Sequence, residues 1–288
     1  MQHITIVIPT KTPRPPKGGG DYSYVYDEGR GKKWALRKGI EAATTEYVWL
    51  TDDDVVLPEV TEQQLLDAIG DADMLILPLR MVSSATIDSR NTSPLKGVGG
   101  SLQIAEYAAI QALTIWSAQR GHPVMCSGAN LLVRRDTWLE LYNELHPEIP
   151  SGDDMFLLEA MKRHGKKIVT IPVSSPSGEA GWGLATIEAV PTWRAFFRQR
   201  MRWAGKAPKY TDRDILVCGA TVAILEFLQI LCPLLVLLYY PLVLRLLRHA
   251  PDPEQAKLPP LRGIGGLLIY PYYMFICLIG GMLHPKRW

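Results

Sequence analysis

From Ile215 to Leu244 thirty residues pass with a single charge, that of Glu226. A helix crosses the hydrocarbon core of a bilayer in about 20 apolar residues, so this run is long enough to span a membrane. A second apolar run, Gly263 to Leu283, carries Tyr270, Tyr272 and Tyr273, with Trp288 just beyond it. The expectation is a membrane region over 211–288 with two spans, near 215–244 and 263–283. A simple hairpin would leave Arg245, Arg248, Lys257 and Arg262 outside, against the positive-inside tendency. Pro233 offers the alternative, breaking the first run into a re-entrant or double pass. Arg194, Arg198, Arg200, Arg202, Lys206 and Lys209 crowd just before the first run, which suits an amphipathic interface helix over 190–210.

That leaves residues 1–189 for a domain outside the bilayer. A net charge of only +2 gives no reason to expect a nucleic-acid partner. The N-terminal MQHITIVIPTK has an apolar core too short for a secretory signal and reads as a first strand, which places the domain on the cytosolic side of an inner or plasma membrane. Cys126, Cys218, Cys232 and Cys277 show neither zinc spacing nor a disulfide framework, as fits a reducing compartment. Strands are expected at Ile4 to Ile8, closed by Pro9, at Tyr22 to Tyr26, from Glu46, at Met74 to Leu79, at Leu131 to Val133 and at Lys167 to Ile171. Helices are expected at Lys32 to Ala43, at Thr61 to Ile69 with Thr61 as cap, at Leu102 to Gln119 with few charges, from Arg134 through Leu145, and from Ser151 to Gly165. Alternation of this kind argues for an α/β fold with a mostly parallel sheet.

Glu46 to Pro58 reads EYVWLTDDDVVLP, a buried-strand pattern that ends in three carboxylates. Open α/β sheets bind ligands past the carboxyl ends of their strands. In an extended segment Asp52 and Asp54 face one way and Asp53 the other. Two carboxylates sharing a cavity repel unless a cation lies between them, and hard oxygens suit Mg2+ or Mn2+ with positions left for phosphate. The same three residues would also suit a solvated turn. Asp153 and Asp154 open a helix, where carboxylates cap free N–H groups; a general base there would need one carboxylate aimed into a cleft. In Gln199-Arg200-Met201-Arg202-Trp203, helical spacing puts Gln199, Arg202 and Trp203 on one face. An amide, a guanidinium and an indole can hold a diphosphate and a sugar ring, or can anchor the chain at a lipid interface.

The succession TDDDVVLP, CSGANLLVRR, SGDDMFLLEAMKRHG and QRMRW, followed by apolar spans, resembles family 2 glycosyltransferases of the GT-A fold, in particular the membrane-bound branch of cellulose, chitin and hyaluronan synthases. The resemblance runs from about Ile4 to Lys206. It implies that Asp52 and Asp54 are the DXD pair for Mg2+ or Mn2+ on the nucleotide diphosphate, with Asp53 on the donor side, and that Asp154 is the general base. It implies that Arg202 meets the donor phosphates and that Gln199 and Trp203 stand beside the acceptor. Gly31 and Lys32, with Ala35 and Leu36, resemble the GKxxAL segment near the nucleotide. Cys126, Ser127, Gly128 and Asp153 would line the acceptor side. Family members place about 40 residues between the first strand and GKxxAL, whereas here only Lys11 to Arg30 is available; either Asp27 stands in for the missing nucleotide-binding acid or the uracil pocket is incomplete. The implied reaction moves a sugar from a UDP-sugar to a hydroxyl of a glycan or lipid-linked acceptor. Attack opposite the leaving diphosphate inverts the anomeric centre and gives a β-glycoside. With two spans, a single transfer suits the chain better than processive secretion. Two rival readings are a polyprenyl-phosphate glycosyltransferase and a non-catalytic membrane subunit that serves a partner synthase.

Overall fold

The computed structural model describes residues 3–12, 22–83, 98–171, 182–252 and 260–283. Trp288 and most of the segments 11–20 and 83–100 lie outside them. In chain order the elements are β1 (Ile4–Thr10), β2 (Tyr22–Tyr26), α1 (Lys32–Ala42), β3 (Tyr47–Leu50), α2 (Glu62–Ile69), β4 (Met74–Ile76), β5 (Leu79–Val82) and α3 (Val98–Ala118). There follow β6 (Leu131–Arg134), α4 (Arg135–Leu141), α5 (Asp153–Arg163), β7 (Ile168–Thr170), β8 (Ala185–Glu188), α6 (Trp193–Ala204), α7 (Arg213–Leu231), α8 (Val236–Leu247) and α9 (Pro260–Leu283). The chain divides into two units, Met1–Leu79 with Ser117–Thr186, and Arg80–Trp116 with Ile187–Trp288.

The first unit is built on a six-stranded sheet in the order β2-β1-β3-β6-β4-β7. Every pairing is parallel except those of β6, which runs antiparallel to both β3 and β4. This is the mostly parallel α/β sheet expected from the sequence. Side-chain alternation assigns its two faces. Tyr47, Trp49, Leu75 and Leu132 turn toward Leu65 and Ile69 of α2. Val7, on the opposite face, meets α1 through Gly39, where an added Cβ would come within 2.6 Å of a Val7 methyl. Thr61 caps α2 by accepting the Gln64 N–H, and the Gln64 side chain accepts the Thr61 N–H in return.

Two strand boundaries differ from the sequence reading. Pro9 does not close β1, because β3 pairs only as far as Val7 and the last residues of β1 pair with β2 alone. Proline lacks the N–H that a second neighbour would need, and here there is no second neighbour. The apolar stretch Met74 to Leu79 is two strands. Leu77 still donates to the Asn130 carbonyl opposite it, and Leu79 begins β5, which pairs with β8 in a separate two-stranded sheet. β8 had no signal in the sequence reading.

In the second unit α6 packs along α9 with no side chain between the backbones at one point. An added Cβ on Gly281 would collide with the Met201 carbonyl oxygen and lie 2.7 Å from the Gly205 nitrogen. Phe196 and Tyr273 close the same contact edge to face at 5.5 Å. Ala108 and Ala112 of α3 bury themselves against Leu247 and Ala250. Two described helices are long and apolar enough to cross a membrane, Arg213–Leu231 and Ile264–Leu283, while Pro233–Leu247 is shorter. The thirty-residue run is therefore not one helix. Cys232 leaves helical geometry, and Pro233, with no N–H to give, opens a 3-10 turn before α8. Val217, Ile224, Phe227 and Leu231 stand exposed on α7, an apolar surface of the kind lipid covers.

Candidate active site

Strand β3 ends at Leu50, and the Thr51 hydroxyl donates to the Ala129 carbonyl at 2.9 Å, tying the strand end to the segment before β6. The acids that follow do not continue as an extended segment. The Val55 N–H returns to the Asp52 carbonyl at 3.3 Å, closing a turn, so strand alternation does not apply to Asp52, Asp53 and Asp54. Asp52 receives the Lys32 ammonium at 2.7 Å. Asp53 accepts the Thr10 hydroxyl at 2.9 Å and so ties the turn to the end of β1. Asp54 is exposed, yet the protein atoms around it and then the Asp52 charge push its carboxyl up from the ordinary aspartate range.

Lys32 is the first residue of α1, whose N-terminus is set by Gly31 at φ 93, a conformation that favours glycine. Its ammonium lies 3.3 Å from Asp153 as well as 2.7 Å from Asp52. Burial alone would lower the Lys32 value; Asp153, Asp52 and Asp154 together outweigh it and hold the value raised. Burial likewise opposes charge on Asp153, but Lys32 prevails and holds that carboxyl below its usual range. Gly128 makes the meeting sterically feasible, since a Cβ there would stand 3.1 Å from the Asp153 carboxylate and 3.5 Å from the Lys32 nitrogen. Asp154 accepts the Gly128 N–H at 3.3 Å through one oxygen and the Met155 N–H at 2.8 Å through the other. The buried Cys126 thiol donates to the Asp154 carbonyl at 3.3 Å. Burial, and then the charges of Asp154 and Asp153, push this thiol well up, so it stays protonated.

Other predicted positions have plainer surroundings. Asp27 accepts the Gly29 N–H at 3.0 Å and shapes the turn from β2 into α1. Ser127 accepts the Ala129 N–H at 3.4 Å, and its carbonyl takes the Asn130 N–H. Asn130 itself is fully buried: it accepts from Trp49 at 2.9 Å and donates to the Pro78 and Gly183 carbonyls, holding the segment rather than lining an opening.

Thus Asp52, Lys32, Gly128, Asp153, Asp154 and Cys126 meet in the first unit. Gln199, Arg202 and Trp203 lie on α6 in the second, where Gln199 and Trp203 both meet Arg200. Arg200, expected among the basic residues of an interface helix, is instead buried and grips Glu106 of α3 through Nη2 at 2.5 Å and Nε at 3.1 Å. It also donates to the Gln199 side chain and lies over the rings of Phe196 and Trp203, 4.6 and 4.5 Å from their centroids. The signal for this pair was present: Glu106 is the lone charge in α3. Lys33 was missed as well. It donates to the carbonyls of Leu145 and His146 at 2.5 and 2.8 Å, fixing the approach to Asp153 while Lys32 holds its carboxylate.

A mostly parallel sheet with acids gathered past the end of a central strand defines a GT-A-like α/β domain. The profile of glycosyltransferase-like family 2 matches residues 24–206, and the chain belongs to that family. Compared with curated proteins, the chain matches none. Among solved structures it is similar to a mannosyltransferase from Pyrobaculum calidifontis determined in complex with GDP-Man and Mn2+. The two are 15% identical with a TM-score of 0.50, over 99% of this chain and 87% of the other, a likeness of fold.

Proposed function

We propose that this chain is a membrane-anchored, metal-dependent inverting glycosyltransferase. It transfers a sugar from a UDP-sugar to a hydroxyl of a glycan or glycolipid and forms a β-glycoside, as in the branch of cellulose, chitin and hyaluronan synthases. The observation that carries this reading is the Lys32 ammonium joining Asp52 to Asp153, which gathers acids about a hundred positions apart in sequence at one strand end.

Asp154, which is partly exposed, takes the proton of the attacking hydroxyl. Lys32 and the N-terminus of α1 face the donor diphosphate with positive charge. Gln199, Arg202 and Trp203 serve the acceptor and the leaving group. Among the described residues no three or more His, Cys, Asp or Glu form a metal-binding group on their own. Asp52 and Asp54 share one turn past the end of β3, and two carboxylates fit a cation that completes its shell with substrate oxygens. Asp52 and Asp54 would hold Mg2+ or Mn2+, which supplies neutralisation of the departing diphosphate.

The test is nucleotide release from membranes containing the protein, with Mn2+ or Mg2+, across a panel of UDP- and GDP-sugars; the GDP donors are included because the similar structure holds GDP-Man. Asp154→Asn is expected to lower turnover on the order of 10²–10⁴ while leaving nucleotide binding intact. No turnover with any donor, unchanged by Asp154→Asn, would instead support a non-catalytic subunit.

A further inference from the structure

The Lys32 ammonium stands where a cation is wanted. Its nitrogen is 2.7 Å from Asp52 and 3.3 Å from Asp153. Asp153 is buried, with 7% of its side chain exposed, and a buried carboxylate needs a countercharge. Asp52 is 38% exposed and remains open to a second partner. Backbone geometry holds the ammonium in place: Gly31 starts the helix, Ala35 and Leu36 bury the next turn, and Gly128 leaves the space that a methyl group would fill.

We propose that Lys32 is the countercharge of Asp52 and yields it only when a donor diphosphate arrives, so that metal and nucleotide enter together. This rests on the transferase reading above. A bare divalent ion approaching Asp52 meets the ammonium already on that carboxylate and is repelled by it. A nucleoside diphosphate changes the balance. Its oxygens give the ammonium a new partner, complete the shell of the ion and offset the charge of both. Lys32 thereby keeps an ion from settling before the donor does, and keeps Asp153 charged and oriented meanwhile.

The experiment is Mn2+ titration of the full chain in detergent, followed by electron paramagnetic resonance, without nucleotide and with UDP or GDP. Wild type is expected to bind free Mn2+ weakly and to tighten steeply with a diphosphate. Lys32→Met should bind free Mn2+ at least fivefold more tightly than wild type and lose most of the nucleotide-induced tightening; Lys32→Arg, which keeps the charge, should stay near wild type on both counts. Lys32→Gln repeats the measurement should Met misfold, with circular dichroism as the check. Free Mn2+ affinity unchanged in both neutral variants would overturn the proposal and leave the transferase reading standing. Wild type that takes up no Mn2+ with either nucleotide would overturn the transferase reading as well.

Discussion

The pair Arg200 and Glu106 allows a quantitative test of what holds the Trp203 helix. Their side chains are only 4% and 8% exposed, and two guanidinium nitrogens reach the carboxylate. Removing one partner of a buried pair leaves an uncompensated charge, which costs about 3–5 kcal/mol. Arg200→Met also forfeits the stacking on Phe196 and Trp203, about 1 kcal/mol more. At roughly 2–4 °C per kcal/mol for a chain of this size, each single variant should lower the melting temperature by about 10 °C. The double variant Glu106→Leu with Arg200→Met fills the space with apolar groups and removes both charges, so it should recover most of that loss. With single losses of about 3–5 and 4–6 kcal/mol and a residual of about 1–2 kcal/mol in the double variant, the coupling energy is about 5 kcal/mol or more, measured as a double-mutant cycle by thermal unfolding in detergent. Two single variants that each cost under about 1 kcal/mol, or a double variant equal to their sum, would refute the argument that the pair is desolvated and mutually dependent.

Two further outcomes test the packing and the charge balance. Gly281→Ala should destabilise by about 1–3 kcal/mol because its methyl meets the α6 backbone, whereas Gly219→Ala, with nothing within 4 Å, should be neutral or slightly stabilising in the same melts. Asp153 has a lowered native value, so its contribution to stability is complete above the ordinary aspartate value of 3.8 and is lost as pH falls through the native one. The gap in melting temperature between wild type and Asp153→Asn should therefore be widest above about pH 5 and close as acid is added; a gap that widened in acid would reverse the sign of the Lys32 interaction.

Much of the first unit was legible because its signals are local. Thr61 and Gln64 form a capping box within four residues, and the β3 run announces itself by aromatic and β-branched content. What escaped depended on neighbours distant in sequence. Pro9 is a strand residue only because β3 stops pairing at Val7. Alternation failed for Asp52 to Asp54 because the chain turns as soon as it leaves the ladder. The bridge from Asp52 to Asp153 could not be read from either motif alone, since a lysine between them joins two segments about a hundred residues apart. Arg200 sits among arginines that precede an apolar run, a pattern that fits a lipid interface equally well; the fold gives it a buried carboxylate instead.

At Gly281 the α9 and α6 backbones touch directly, without a flexible side chain to serve as a cushion. A tilt of α9 cannot be absorbed by rotamer changes at that point. A displacement of α9 would therefore carry with it the helix bearing Gln199, Arg202 and Trp203, and on the membrane-anchored reading proposed above this couples the span to those side chains.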